Sequence, residues 1–191
     1  MMLEKVAVDE KLPYKRIEGE AAFYGPKLDF MFKDAIGREW QLATIQIDFN
    51  MPSRFGLEYN DKDGQKKTPV MIHRAIAGSL ERFLSVMIEH FAGSFPMWLA
   101  PVQAIILPIS QTHLEYAESV LKQLQEVSIR AILDTDNETL GKKIRNAKLQ
   151  KIPYLLVVGD KEKESGTITV ESRDCGTMGE IKITEFIDEI K

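Results

Sequence analysis

Hydrophobic and polar positions alternate in two places early in the chain. Leu28, Phe30 and Phe32 alternate with Lys27, Asp29, Met31 and Lys33, which predicts a strand with one apolar face. A short connection over Ala35, Ile36, Gly37 and Arg38 leads to a second strand, from about Glu39 to Phe49. On that strand Thr44, Gln46 and Asp48 share one face, and Ala43, Ile45, Ile47 and Phe49 the other. Burying a polar row is costly unless it meets partners, so the row either faces solvent or lines a ligand site. The run Asn60-Asp61-Lys62-Asp63-Gly64 reads as a hairpin tip. From about Pro69, apolar residues Ile72, Ile76, Leu80, Phe83, Leu84, Met87, Ile88 and Phe91 recur at helical steps. They predict one long helix, opened by His73 beside Arg74, with Gly78 inside it. A glycine there costs ~1 kcal/mol relative to alanine, so Gly78 marks either a close backbone approach or tight helix–sheet packing.

The pattern changes across Gly93, Pro96 and Pro101. Beyond it, Val102 to Leu107 reads as a buried strand. A helix from Thr112 to Gln125 follows, with Ser110 as its N-cap and Leu114, Ala117, Val120, Leu121 and Leu124 facing inward. Arg130 to Leu133 is a short strand, Leu140 to Leu149 a helix, Tyr154 to Val158 and Thr167 to Val170 strands, and Thr184 to Ile190 a last helix. The order β-α-β-α-β-β-α predicts an α/β domain with a mixed sheet.

The chain has 191 residues, 44% hydrophobic and 28% charged, which excludes a disordered or collagen-like chain. No apolar run approaches the ~20 residues of a membrane helix. The first ten residues carry Glu4, Asp9 and Glu10 and do not read as a secretory signal, so a cytosolic compartment is expected. One cysteine, Cys175, excludes an internal disulfide and any zinc cage built on several cysteines. The net charge of −4 gives no global reason to expect nucleic acid. Locally, however, Lys142, Lys143, Arg145, Lys148 and Lys151 follow one another with no acid between them. That strip is either a solvated helix face or a phosphate-binding surface.

Several chemistries are unsupported. There is no GxSxG, no GxxxxGK[ST], no GxGxxG and no HxxxH, and Cys175 has no nearby histidine. His90 and His113 have no carboxylate or cysteine at ligand spacing and read as structural or surface residues. Two segments stand out. Phe23-Tyr24-Gly25-Pro26-Lys27 sets an aromatic and a lysine at the mouth of the first strand. In the expected helix, Gly78 and Arg82 lie one turn apart, a small residue beside a guanidinium that can stack on a base or neutralise phosphate.

Gly78-Ser79-Leu80-Glu81-Arg82-Phe83 resembles motif 3 of class II aminoacyl-tRNA synthetases. The segments Ala22 to Lys27, Trp40 to Phe49, Pro69 to Ile76, Trp98 to Gln103, Pro153 to Glu162 and Glu164 to Gly166 together resemble the threonyl-tRNA synthetase family over nearly the whole chain. The resemblance implies an α/β (α+β) fold in two parts. Residues 1–98 would be the C-terminal part of the class II catalytic domain, a partial antiparallel sheet plus the motif 3 helix, without motifs 1 and 2. Residues 99–191 would be an α/β anticodon-binding domain with a mixed sheet.

The function implied is ATP-dependent, Mg2+-assisted activation of threonine and charging of tRNA(Thr), by a homodimer formed through segments absent here. Tyr24, Lys27 and Gln46 would line the threonine and acceptor-end pocket. Gln41, Thr44, Ser79 and Arg82 would line the ATP pocket, with Arg82 as the catalytic cation. Because Gln41 and Thr44 differ by three, they share a face only if a bulge lies between them. His73 matches one of three zinc ligands, the other two being absent, so this chain alone is expected to be catalytically incomplete. Glu164, at the start of a strand, and Arg173, just after it, would read anticodon bases, while Lys142 and Lys143 hold tRNA phosphates. Two other readings stay open: a stand-alone tRNA-binding module, and a regulatory paralogue without ligase activity.

Overall fold

The computed structural model describes residues 2–190, which separate into two compact units divided between His90 and Phe91. In the first, α1 (Met2–Asp9) precedes β1 (Lys27–Lys33) and β2 (Glu39–Asp48). Then come α2 (Met51–Arg54), the two-residue strands β3 (Tyr59–Asn60) and β4 (Lys66–Lys67), β5 (Met71–Ala75) and α3 (Leu80–Phe91). Strands β1, β2 and β5 form an antiparallel sheet in the order β1-β2-β5. The charged run at Asn60–Gly64 is the tip of the β3–β4 hairpin, as expected.

The long helix expected from Pro69 is corrected. Met71–Ala75 is a strand paired along β2, with Ile72 opposite Ile47 and His73 opposite Gln46. The step from Ile72 to Ile76 fits a helix by coincidence, and five residues of ladder pairing override it. His73 therefore sits mid-strand and opens no helix. Gly78 lies outside α3, in the turn before it, with φ +67°. A Cβ on Gly78 would stand 2.9 Å from the Leu42 carbonyl oxygen, so the close backbone approach is real but comes from β2.

Between Phe30 and Met31 the β1–β2 register shifts, and Leu42 is the extra residue on β2. This is the bulge that puts Gln41 and Thr44 on one face. The Gly78 turn packs on that bulge and delivers the start of α3 to it. Few residues of this unit are buried: Leu3, Ala7, Ile47, Asp48 and Pro52. None of α3 is buried, and Leu80, Leu84 and Ile88 lie exposed along one stripe.

The second unit has a fuller interior. Its elements are β6 (Ala104–Pro108), a 3-10 turn (Gln111–His113), α4 (Leu114–Glu126), β7 (Ala131–Leu133), α5 (Leu140–Leu149) and β8 (Tyr154–Val158). They continue with α6 (Asp160–Ser165), β9 (Thr167–Ser172), β10 (Gly176–Lys182) and α7 (Ile183–Ile190). The sheet order is β10-β9-β8-β6-β7, parallel from β7 through β8 and antiparallel from β8 to β10. This is the mixed sheet that the pattern predicts.

Apolar side chains fill both faces of that sheet. Ile106, Leu156, Ile168 and Val170 pack with Leu124 and Phe186 on one side; Ile105, Leu107 and Leu155 pack with Ala147 and Ile152 on the other. Strands covered on both faces need continuous apolar runs, which β6 and β8 have. Helix α6 and strand β10 were not expected. The first is six mostly charged residues, and the second is interrupted by Gly176 and Gly179, so neither carries a clean period.

Glu180 ties β10 to α6 and the start of β9. Lys161 pairs with its carboxylate, and the hydroxyls of Thr167 (2.7 Å) and Ser165 (3.0 Å) donate to it. The Lys161 ammonium, then these hydroxyls, pull its pKa from 4.5 to about 2. A carboxyl depressed in the folded state stabilises above its unfolded pKa and loses that contribution as pH falls. Urea midpoints of the chain are thus expected to fall between pH 4.5 and about 2, and Glu180→Gln to flatten that fall. An unchanged pH profile in the variant would contradict this linkage.

Candidate functional site

The polar row expected on β2 meets polar residues on both neighbouring strands. Residues directly opposite in a ladder point to the same face, so Lys27, Gln46 and His73 form one row across three strands. Asp29 and Thr44 form the next. Tyr24 joins them from the loop before β1. Its carbonyl accepts from Phe49 N–H (3.0 Å), and that of Pro26 accepts from Ile47 N–H (3.0 Å), so the loop extends the β1–β2 ladder. The Tyr24 hydroxyl then donates to Gln46 Oε1 at 2.7 Å. Its ring stands edge-on to His73, centroids 5.9 Å apart. An open cleft of about 550 Å³ runs along this face, lined by Thr44, Gln46, Ile72, His73, Arg74 and Ala75.

Asp29 organises the other half of the site, and the sequence reading did not single it out. Lys27 Nζ lies 2.7 Å from one carboxylate oxygen. Gln41 Nε2 and Thr44 Oγ1, each at 2.8 Å, donate to the other. The hydrogen bond to Asp29 holds the Lys27 ammonium above the ordinary lysine pKa, so it stays a cation. Period-two reading from Lys27 already places Asp29 on the polar face of β1, and that signal was available.

Ser79 Oγ accepts from Arg82 N–H at 3.2 Å and so caps the first turn of α3. Arg82 Nη1 donates to the Gln41 carbonyl at 2.8 Å. The structure thus brings Gln41, Thr44, Ser79 and Arg82 together around the β2 bulge, and Tyr24, Lys27, Gln46 and His73 along the adjacent face. Cations and amides on one face of a sheet can bind an anionic, base-bearing ligand.

His73 Nε2 lies 2.8 Å from Asp48 Oδ2. No group of three His, Cys, Asp or Glu residues that could hold a metal occurs among the described residues. A single imidazole does not make a tetrahedral zinc site, so the described residues do not by themselves fit a zinc ion.

In the second unit the expected basic face is only partly exposed. Lys143 is corrected: it is buried, its Nζ 3.3–3.4 Å from the Asp134 and Pro108 carbonyls and 3.5 Å from the Asp134 carboxylate. It lies four residues before buried Ala147, on the face of α5 turned to the sheet, so it cannot reach RNA phosphates. Lys142 is exposed and pairs with Glu138 at 2.6 Å; Lys148 pairs with Glu171 at 2.5 Å; Arg145 is exposed.

Glu164 is corrected too, since it lies in α6 and not at a strand start. It precedes β9 and Arg173 follows it, so a six-residue strand, about 20 Å long, lies between them. Gly166 turns the chain with φ +69° but does not fold one end onto the other. Arg173 is clamped by Asp174 (2.8 Å) and by the carbonyls of Lys151 (2.9 Å) and Phe95 (3.0 Å). It borders a cleft of about 340 Å³ with Lys148 and Lys151. His113 is buried and structural, bridging Ser110 and Asp160.

Two family models match the chain. One describes the class II tRNA synthetase core domain (G, H, P, S and T) and matches residues 2–91; the other describes an anticodon binding domain and matches residues 103–191. Similar proteins include the threonine–tRNA ligases of Caldanaerobacter subterraneus, 58% identical over 94% of this chain, and Thermus thermophilus, 52% identical over 97%. The chain spans 28% of the length of each. A crystal structure of the RNA binding domain of threonyl-tRNA synthetase from Cryptosporidium parvum superposes with a TM-score of 0.87 at 39% identity, covering 98% of this chain and 48% of that one. With a class II core segment followed by an anticodon-binding segment, and identity of this level along nearly its whole length, the chain belongs to the threonine–tRNA ligase family.

Proposed function

We propose that this chain is the C-terminal part of a ligase that activates threonine with ATP and charges tRNA(Thr). The observation that carries the reading is the single polar face on which Lys27, Gln46 and His73 stand in one row, with Tyr24 bonded to Gln46 and Arg82 set beside Gln41. Tyr24, Lys27 and Gln46 take the threonine and acceptor end. Gln41, Thr44 and Ser79 shape the ATP side, where Arg82 offers charge and a stacking plane. Mg2+ accompanies the ATP phosphates. His73 would serve as one ligand of a zinc ion, which would supply Lewis-acid recognition of threonine once its other ligands were provided. Residues 1–98 act as the catalytic part and residues 99–191 as the anticodon reader. The complete enzyme is a cytoplasmic homodimer, and the exposed stripe of α3 packs within it. No helix among the described residues is long and apolar enough to cross a membrane.

Glu164 and Arg173 read separate, splayed anticodon bases, because β9 lies between them. The chain is titrated with an anticodon stem-loop of tRNA(Thr) and with one altered at the second and third anticodon bases, at two salt concentrations. Lys142→Ala and Arg145→Ala are expected to weaken binding of both hairpins and reduce the salt slope by about 1 each. Glu164→Ala is expected to remove ~1–3 kcal/mol of discrimination with little change in slope. Lys143→Ala is expected to lower stability without changing the slope. Equal affinity of the unsubstituted chain for the two hairpins overturns the anticodon assignment.

A further inference from the structure

Residues 92–100 lead from the end of α3 towards β6 as a strap with no helix or strand of its own. Side chains of the second unit hold its carbonyls. Lys151 donates to Ala92 and Arg173 to Phe95 (3.0 Å) at one end. Gln103 donates to Met97 (2.9 Å), and Arg130 to Trp98 (2.8 Å) and Ala100 (2.9 Å), at the other. Ala92 and Lys151, which meet, both have left-handed backbone, with φ +48° and +56°. Each stands just past a helix end, where glycine is usual, so the surroundings must hold them there.

Arg173 is the tightest point of this arrangement. A guanidinium has five N–H groups, and four of those on Arg173 are taken. Asp174 occupies the fork of Nε and Nη2, at 2.8 Å on both arms. The remaining fork, Nη1 with Nη2, includes the N–H given to the Phe95 carbonyl. Two-pronged contact with a base edge or a phosphate needs a whole fork. The Phe95 bond is the one to yield, because its acceptor is neutral and it is the longest of the four. Lys151 and Arg173 also border the cleft of about 340 Å³, so a ligand there meets both cations that hold this end of the strap.

We propose that Arg173 is a clasp: it holds the strap shut in the free chain, and an RNA group with two adjacent acceptors opens the strap by taking the Nη1–Nη2 fork from Phe95. The proposal rests on the reading of the second unit as an RNA binder. RNA binding and strap order then oppose each other, and by linkage the opposition is equal in both directions.

Amide exchange on the 15N-labelled chain, free and saturated with each of the two anticodon hairpins, tests this. Ser94 N–H donates to the Phe91 carbonyl (2.8 Å) at the end held by Arg173. Leu99 and Ala100 N–H donate to the Pro96 carbonyl (3.0 Å) at the end held by Arg130 and serve as the internal control. Hairpin binding is expected to speed exchange at Ser94 by about tenfold or more and to leave Leu99 and Ala100 unchanged. Phe95→Gly removes the ring that meets Phe91, centroids 5.9 Å apart, and frees the backbone without altering any charge. It is expected to bind both hairpins about tenfold more tightly at an unchanged salt slope, the gain for a site competent one-tenth of the time at rest.

A free chain whose Ser94 exchanges like an unstructured amide overturns the shut strap without any RNA. Hairpins that bind while Ser94 keeps its rate overturn the clasp and leave RNA binding standing, as does a Phe95→Gly chain of unchanged affinity. Equal affinity for the two hairpins with Ser94 released upholds the clasp with phosphate as its occupant, and overturns base reading by Arg173. Binding of neither hairpin overturns the clasp and the RNA reading together.

Discussion

Phe186→Ala is expected to cost residues 91–191 ~3–5 kcal/mol, the range for truncating a buried aromatic that leaves a cavity. Phe186 is fully buried and belongs to the cluster that joins Ile106, Leu124, Leu156, Ile168 and Val170. The Tyr154 ring meets it edge-on, centroids 5.3 Å apart, an arrangement that adds to the area term. The surroundings are strands and helices from both ends of the unit, so collapse around the void is restricted. Domains of this size are stable by only about 5–15 kcal/mol, so the loss takes a large share of the total. Urea unfolding of the variant is expected to show a much lower midpoint with an unchanged slope. Ile190→Ala, a partly buried residue on the same helix, provides the comparison and should cost less. A Phe186→Ala midpoint no lower than that of Ile190→Ala would refute the account of this core.

Gly25→Ala is expected to be the most damaging single change to the candidate site. A Cβ at residue 25 would lie 2.0 Å from the Ile47 carbonyl oxygen and 3.1 Å from its carbon. Both are backbone atoms of β2, so no side-chain rotation relieves the overlap. The loop carrying Ala22, Tyr24 and Pro26 has to leave β2, breaking the bonds from Ile47 N–H and Phe49 N–H. Tyr24 then loses Gln46, and Lys27 loses the register that sets it beside Gln46 and Asp29. Overpacking typically costs 1–3 kcal/mol even where side chains can adjust, and more where they cannot. Residues 1–90 bury few side chains and have little stability in reserve. The expected result is loss of protection from hydrogen exchange at Ile47 and Phe49, together with greatly weakened binding of ATP and threonine by any form of the protein that binds them. Retained protection at both amides would show that the loop accommodates the methyl group.

Much of the site was legible because its signals are local. Alternation along β1 and β2 gives the polar face, since side chains of a strand must point alternately to its two sides. The three-residue step from Gln41 to Thr44 calls for a bulge, and Leu42 supplies it. Gly78 announces a close approach because only a residue without a Cβ fits there, although its partner is a β2 carbonyl and its place is a turn. The apolar runs of β6 and β8 announce a sheet covered on both faces.

The errors arise where one period imitates another or where burial depends on a neighbour. Ile72 and Ile76 match helical spacing, but pairing with β2 makes Met71–Ala75 a strand. Lys143 looks like part of a basic face, yet the side of α5 that packs on the sheet is chosen by Ala147 and by the sheet itself. Glu164 and Arg173 lie nine positions apart, and only the straight run of β9 decides that they stand at opposite ends of it. By itself, then, the sequence determined the polar face, the mixed sheet and the family resemblance, because these follow from periodicity and from residue types at fixed spacings. Only the tertiary structure decided that His73 stands beside Gln46 with Asp48 at its Nε2, that Asp29 gathers Lys27, Gln41 and Thr44, and that Lys143 is withdrawn from solvent. Those outcomes depend on which strands pair and in what register, and that is settled by contacts between residues distant along the chain.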